Sequence, residues 1–198
     1  MIKKIITLVL VLAPLSLCAQ KFAHYSNVDV IQAMPAYRTA MTELQNVGKQ
    51  YEQELTAMRA EIQTKIEKYQ KEVNDKTPAN MRERREAEIN QLQERFQTAY
   101  QDNERAYGEK QQQLLEPIYK KIEDAVTQIA KENGYVYVLD QSLLQGSQKL
   151  IFVNESLSEN ITTKIHNKLG ITAADVQAGK AFIAKLQQEA QAAQAAQK

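Results

Sequence analysis

The longest stretches of this chain alternate polar and apolar residues with a helical period. From Tyr37 the apolar positions fall at Met41, Leu44, Tyr51, Leu55, Met58, Ile62, Ile66, Tyr69 and Val73. Steps of three, four and seven, flanked by Glu, Lys, Gln and Arg, describe a narrow stripe, the seam of a coiled coil. Two successive steps of four, Met58 to Ile62 to Ile66, depart locally from strict heptads. The pattern breaks at "NDKTPANMRERRE", Asn74 to Glu86, and resumes at Ile89, Leu92, Phe96, Tyr100, Tyr107, Leu114, Ile118, Ile122, Val126 and Ile129. Pro78 cannot continue the first helix, and it pushes Thr77 out of helical geometry. Folding the chain back at Pro78-Ala79 pairs Tyr69 with Ile89, Ile66 with Leu92, Ile62 with Phe96, Met58 with Tyr100, Tyr51 with Tyr107 and Leu44 with Leu114. One antiparallel register thus sets apolar against apolar along the whole stretch. The pattern predicts a helical hairpin arm over 37–132 with its tip near 77–80. Thr77 is expected to cap the returning helix, with Pro78 in its first position. An arm of this length would measure on the order of 60 Å. The same register sets Gly48 opposite Lys110 and Leu55 opposite Asn103, so a bending zone is expected near 46–55 and 103–110.

Shorter patterns flank the arm. "FAHYS", Phe22–Ser26, alternates like a strand. "SNVD" spaces Ser26 and Asp29 as a capping box, and Pro35 stands where a helix's first turn tolerates it. Pro117 is expected to kink the returning helix, which "KENG" closes with Gly134 in the left-handed position. "YVYVLDQ" and "KLIFVNE" read as two strands joined by "SLLQGSQ", a hairpin-like connection containing Gly146. "SLSE", Ser156–Glu159, reads as a second capping box opening a helix to Leu169 that Gly170 closes. The fold class is α+β, mostly α: a discontinuous β-rich body of 20–36 and 133–170, the arm, and an Ala/Gln-rich C-terminal helix and tail over 171–198. So few strands have no independent stability, and Phe22–Ser26 and Tyr135–Asp140 would stand as open edges. An obligate oligomer is the expected solution.

The N-terminus changes the picture of where the chain works. Lys3 and Lys4 precede an apolar run from Ile5 to Leu17 that ends in small residues. This is the layout of a secretory signal peptide, too short and one-sided for a membrane span. Cleavage after Ala19, removing 1–19, is preferred to lipidation of Cys18, because Leu17 rather than a small residue precedes that cysteine. The mature chain then has no cysteine and no disulfide. Without Lys3 and Lys4, 23 of the 25 basic residues face 24 acidic ones, a net charge of −1. Nothing in that balance calls for nucleic acid.

Candidate chemistry is sparse. Tyr51, Tyr69, Tyr100 and Tyr107 are either aromatic contacts for a partner or seam residues packing helix on helix; their place on the stripe favours packing. Lys76, Arg82, Arg84 and Arg85 near the tip are the candidate contact with lipid headgroups or acidic partners. Glu83, Glu86 and Glu88 interleave with them, which favours a solvated helix end. His24 and His166 are far apart with no cysteine partner, so no metal or other cofactor is expected. No phosphate loop or nucleophile motif lies among the six glycines, and nothing gathers the carboxylates into a cleft. The chain does not read as an enzyme.

"NGYVYVLDQS", "LIFVNESLSENITTKI", the short N-terminal strand and the charged hairpin together resemble the Skp/OmpH periplasmic chaperone family. The resemblance covers roughly Phe22 to Leu169; the near-neutral charge and the tail beyond Gly170 depart from its best-known, strongly basic members. It implies a homotrimer with a small β-rich body and three helical tentacles around a cavity. It further implies a periplasmic protein that holds unfolded outer-membrane proteins without ATP; weak membrane-surface contact at the arm tips is left open by the basic set there and not by the resemblance. The competing class is a structural or adaptor coiled-coil protein of the cell envelope. Such hairpins usually carry sizeable β-domains on both sides, and the flank before Tyr37 in the mature chain is short, which favours the chaperone.

Overall fold

In the computed structural model residues 20–142 and 153–196 are described. The segment expected to be a signal peptide, with Cys18, the connection around Gly146 and most of "KLIFVNE" lie outside them. The element order is β1 (Lys21–Tyr25), α1 (Asn27–Ala33), α2 (Pro35–Glu72), α3 (Ala79–Asn133), β2 (Tyr135–Asp140), β3 (Ser158–Asn160), α4 (Thr162–Lys168) and α5 (Ala173–Ala196). Contacts divide the chain into two units: an arm of Pro35–Ile118, and a body made of the residues up to Met34 and from Tyr119 onward.

The body is built around β1. Strand order is β2-β1-β3, and β1 pairs in parallel with both neighbours, Phe22 opposite Tyr137 and Ser158, His24 opposite Leu139 and Asn160. Parallel neighbours need long connections, which α1–α3 and the 141–157 segment supply. Phe22–Ser26 is therefore the centre of the sheet and not an edge, contrary to the sequence expectation. A second departure concerns "SLSE". Asn154 turns the chain, its side-chain oxygen accepting from Ser156 N–H at 3.0 Å and its carbonyl from Leu157 and Ser158. Ser158–Asn160 then joins β1, and α4 starts only at Thr162 behind Ile161, which offers no side-chain cap. Burial explains this: Ile161 and Ile165 are fully buried, and their apolar transfer outweighs a cap worth about 1 kcal/mol. The apolar core of the body comes from Ala23, Val30, Ile31, Ala33, Met34, Ile122, Ala125, Ile129, Ile161, Ile165 and Ile171.

Helix ends follow local chemistry. Ser26 caps α1, its hydroxyl accepting from Asp29 N–H at 3.2 Å. Met34 leaves helical geometry (φ −69°, ψ 123°) because Pro35 follows. Gly134 and Gly170 take φ of 67° and 68° after their helices, which only glycine does without steric cost. At the arm's turn, the Asn74 side-chain oxygen accepts from Lys76 N–H (2.9 Å), and its carbonyl accepts from Thr77 N–H (2.9 Å). The Thr77 hydroxyl accepts from Asn74 N–H at 3.0 Å. Thr77 therefore closes the turn rather than capping the returning helix.

The arm is narrow. Ala40, Leu44, Leu92, Leu115 and Ile118 are its buried apolar residues. Cross-helix contacts descend in α3 as they climb in α2: Lys110 pairs with Glu43 (2.6 Å), Asn103 donates to Glu54 (3.2 Å), Lys65 pairs with Glu88 and Arg85 with Glu72. The Arg59 guanidinium lies 5.4 Å from the Phe96 ring centroid, and a Cβ on Gly48 would sit 3.6 Å from Tyr107 Cε2. Ile62 and Phe96 line one hollow, as Tyr69 and Ile89 and Tyr51 and Tyr107 line two others, while Lys110 reaches Glu43. Apolar partners of the expected register thus share common hollows, and the polar contacts beside them are staggered by the reach of Lys, Arg and Glu side chains.

Candidate functional site

Three surfaces of the described residues carry side chains able to meet a partner. The first is the arm near its turn. Lys65, Lys68, Tyr69, Met81, Arg84, Arg85, Glu88 and Ile89 line a shallow hollow of about 310 Å³. The structure splits the expected basic set here. Arg85 is committed to Glu72 and holds its carboxyl below the usual range, while Lys65 does the same to Glu88, with a weaker pull from Arg84. Among the described residues no ion pair engages Lys76, Arg82 or Arg84. Tyr69 donates its hydroxyl to Glu86, which raises its pKa. Tyr69 is thus a polar anchor of the turn, standing apart from the other three tyrosines.

The second surface lies midway along the arm. Gly48, Tyr51, Leu55, Arg59, Tyr100, Asn103, Tyr107 and Gly108 are among the residues around an open hollow of about 620 Å³. Two glycines remove side chains from facing helices, which opens the space between the tyrosine rings. Tyr100 is 44% exposed, and its bond to Glu104 raises its pKa. Tyr51, Tyr100 and Tyr107 are thus brought together beside Leu55. The wall is mixed, with aromatic faces and aliphatic stems between amides and charges. Such a surface admits apolar segments through many weak contacts.

The third surface is β2. Its neighbour β1 covers one edge, and Val136, Tyr137 and Leu139 are 50%, 62% and 40% exposed. Tyr137 stacks on Phe22 with ring centroids 6.2 Å apart and planes at 9°. At the strand's start Tyr135 donates to Glu159, and Lys164 Nζ reaches Glu159 (2.7 Å), Tyr135 (3.1 Å) and Asn133 (3.2 Å). Lys164 lowers the Glu159 pKa and Glu159 raises that of Lys164. At its end one Asp140 oxygen accepts from Asn27 N–H (3.0 Å) and Ser142 N–H (2.9 Å). Burial, with Asp140 and Glu123 nearby, raises the pKa of Tyr25. Sequence reasoning missed Lys164 and Glu159, since their partners lie across the sheet and nothing local marks them.

His24 is buried in β1 with Nδ1 2.9 Å from Ser158 Oγ. His166 lies on α4, its Nε2 buried without a hydrogen-bond partner. Among the described residues no three His, Cys, Asp or Glu side chains gather as a metal site. No described helix is long and apolar enough to cross a membrane.

Residues 21–169 match the family described as outer membrane protein (OmpH-like). The chain is 31% identical over 127 residues to chaperone protein Skp of Vibrio cholerae serotype O1, covering 64% of this chain and 75% of that one. It is 30% identical over 128 residues to chaperone protein Skp of Yersinia enterocolitica, covering 65% and 77%. A crystal structure described as an OmpH-like outer membrane chaperone from Caulobacter crescentus CB15 superposes with a TM-score of 0.59 at 14% identity. That superposition covers 76% of this chain and 83% of the other, and it shows a shared fold.

Proposed function

From the premise that this chain belongs to the OmpH-like family, we propose that it is a periplasmic holdase, a chaperone rather than an enzyme. It binds unfolded outer-membrane proteins and prevents their aggregation without ATP. The observation that carries this reading is the mid-arm hollow, where Tyr51, Leu55, Tyr100 and Tyr107 stand open among polar side chains. A surface of this kind holds apolar stretches loosely and over a wide area, unlike a closed pocket that selects one ligand. In this reading α2 and α3 form an antiparallel coiled-coil hairpin, three chains join through their sheets, and residues 1–19 direct export. Lys76, Arg82 and Arg84 give the tip a weak attraction to anionic surfaces. The expected net charge of −1 makes client capture less dependent on salt than in basic relatives.

The test is dilution of an unfolded β-barrel protein from urea, with and without the mature protein, followed by light scattering at low and high salt. The expected result is stoichiometric suppression of aggregation, nearly equal at both salt concentrations. No suppression at either makes a structural hairpin of the envelope the better reading. Tyr51→Ser with Tyr107→Ser should raise the amount of protein needed several-fold, an effect on the order of 1 kcal/mol for losing spread contacts.

A further inference from the structure

The hollow midway along the arm is built from one face of each helix. On α2, Gly48, Tyr51, Glu52, Leu55, Thr56 and Arg59 recur at the spacing that returns to one side of a helix. On α3, Tyr100, Asn103, Glu104, Tyr107, Gly108 and Gln111 do the same. Three tyrosines and two glutamates therefore come to one concave surface, with Tyr51 and Tyr107 half-buried and Tyr100 exposed. Its charges set it apart from the rest of the arm. Elsewhere Glu43, Glu72 and Glu88 reach across to Lys110, Arg85 and Lys65. Among the described residues no ion pair engages Glu52 or Glu104. Glu104 accepts the Tyr100 hydroxyl, and Asn103 donates to a third carboxylate, Glu54, at 3.2 Å. The one cation of the lining is Arg59, and its guanidinium is drawn to the ring of Phe96, a residue that lines a separate hollow.

Tyrosine rings attract a cation through their quadrupoles, and carboxylates beside them add a field of the same sense. An apolar side chain placed here would strip water from two carboxylates and give them nothing in return. An acidic one would be repelled. Lysine and arginine suit both parts of the wall, because a long aliphatic stem carries the charged head. We infer that the mid-arm hollow takes the lysine or arginine side chain of an extended client segment, the stem along Leu55 and the tyrosines and the head beside Glu52 and Glu104. This rests on the holding function proposed above and names which segment of a client settles here. It concerns the arm alone.

The test is fluorescence anisotropy of labelled, unstructured peptides on the full mature protein. One peptide carries a lysine flanked by leucines, and its twins carry glutamine or glutamate in place of the lysine. The lysine peptide should bind about fivefold more tightly than the glutamine twin, the scale of an exposed cation–π contact, and the glutamate twin should bind least. Glu52→Gln with Glu104→Gln should abolish the difference between lysine and glutamine. The helical signal in circular dichroism should not change in that variant, since both carboxylates are exposed and join no ion pair across the arm. Tyr100→Leu keeps apolar area and removes a ring, and it should weaken the lysine preference about twofold. Equal binding of the lysine and glutamine peptides, or a preference that survives the double glutamine variant, overturns the proposal and leaves the holding of unfolded proteins standing. Tightest binding of the glutamate peptide overturns it too, by making Arg59 the selecting group. If no peptide binds, the proposal falls, and the aggregation assay decides separately whether the chain holds clients.

Discussion

His24 shows how one buried polar side chain specifies this sheet. It sits in the middle of the central strand, 1% exposed, and its Nδ1 meets Ser158 Oγ at 2.9 Å on a neighbouring strand of three residues. Ser158→Ala leaves a buried ring nitrogen unpaired and should destabilise the body by about 1–3 kcal/mol in urea unfolding. A smaller loss would mean that water takes the place of the hydroxyl. The Lys164–Glu159 pair makes a prediction in pH. Glu159 is held below its ordinary 4.5, so its contribution is present above that value and is lost as pH falls through the lowered one. Lys164 is raised above 10.5, so its contribution is present below 10.5 and is lost as pH rises through the raised one. Between those limits the pair is fully formed. Lys164→Met should flatten the acid limb of the body's stability profile, measured by thermal melts between pH 3 and pH 7, with a small amplitude because both groups face solvent. Residue-scale signals of this local kind were partly legible in the sequence. Ser26, Gly134 and Gly170 act as their neighbours imply, whereas Ser156–Glu159 carries the same cap signal and forms a turn and a strand. The difference is the burial of Ile161, which a local motif does not encode.

Helices are the elements that sequence reveals best, and α2 and α3 follow their stripes closely. Their pairing was legible in part, since residues that the stripes set opposite one another, such as Tyr51 and Tyr107 or Ile62 and Phe96, line the same hollows. Asn74 draws Lys76 and Thr77 into the tight reversal at the tip, a local bonding pattern that the stripes do not encode. Parallel pairing of β1 with Ser158–Asn160 was not legible at all, since it joins short segments far apart in the chain. The bending zone, expected from Gly48 and Gly108, coincides with the open hollow around Tyr51 and Tyr107. A Cβ on Gly108 would meet nothing within 4 Å, and one on Gly48 only ordinary contact with Tyr107. Neither glycine is required sterically, so each is a source of backbone freedom. Gly108→Ala should stabilise the arm by about 1 kcal/mol and slow amide exchange across 103–110. In the parent protein, exchange there and in 46–55 should outpace that of 58–69. Uniform protection along the arm would show that the open hollow is rigid and that cavity size is fixed.

At the scale of the whole molecule, the exposed strand β2 is the feature that a single chain leaves unresolved. Val136, Tyr137 and Leu139 present apolar side chains to solvent on both faces of a strand whose outer edge has no partner among the described residues. A long apolar edge is a template for pairing with any other strand, and isolated proteins blunt such edges with lysine, proline or a bulge. Here β2 carries neither lysine nor proline, and its one bulge, the extra residue Val136 between the partners of Lys21 and Phe22, leaves Tyr137–Asp140 in regular register. A three-stranded sheet also has marginal stability without further strands or a covering layer. Self-association through β2 removes both difficulties at once, and the family reading sets the number at three. Light scattering on the mature protein should therefore give three times the chain mass at micromolar concentration. Val136→Lys with Leu139→Lys places charges on both faces of the strand while leaving the Tyr137–Phe22 stack in place. That variant should dissociate and lose cooperative unfolding of the body, while the arm keeps its helical signal in circular dichroism. A parent protein that is a stable, folded monomer at that concentration would overturn the assignment of β2 as the seam between copies.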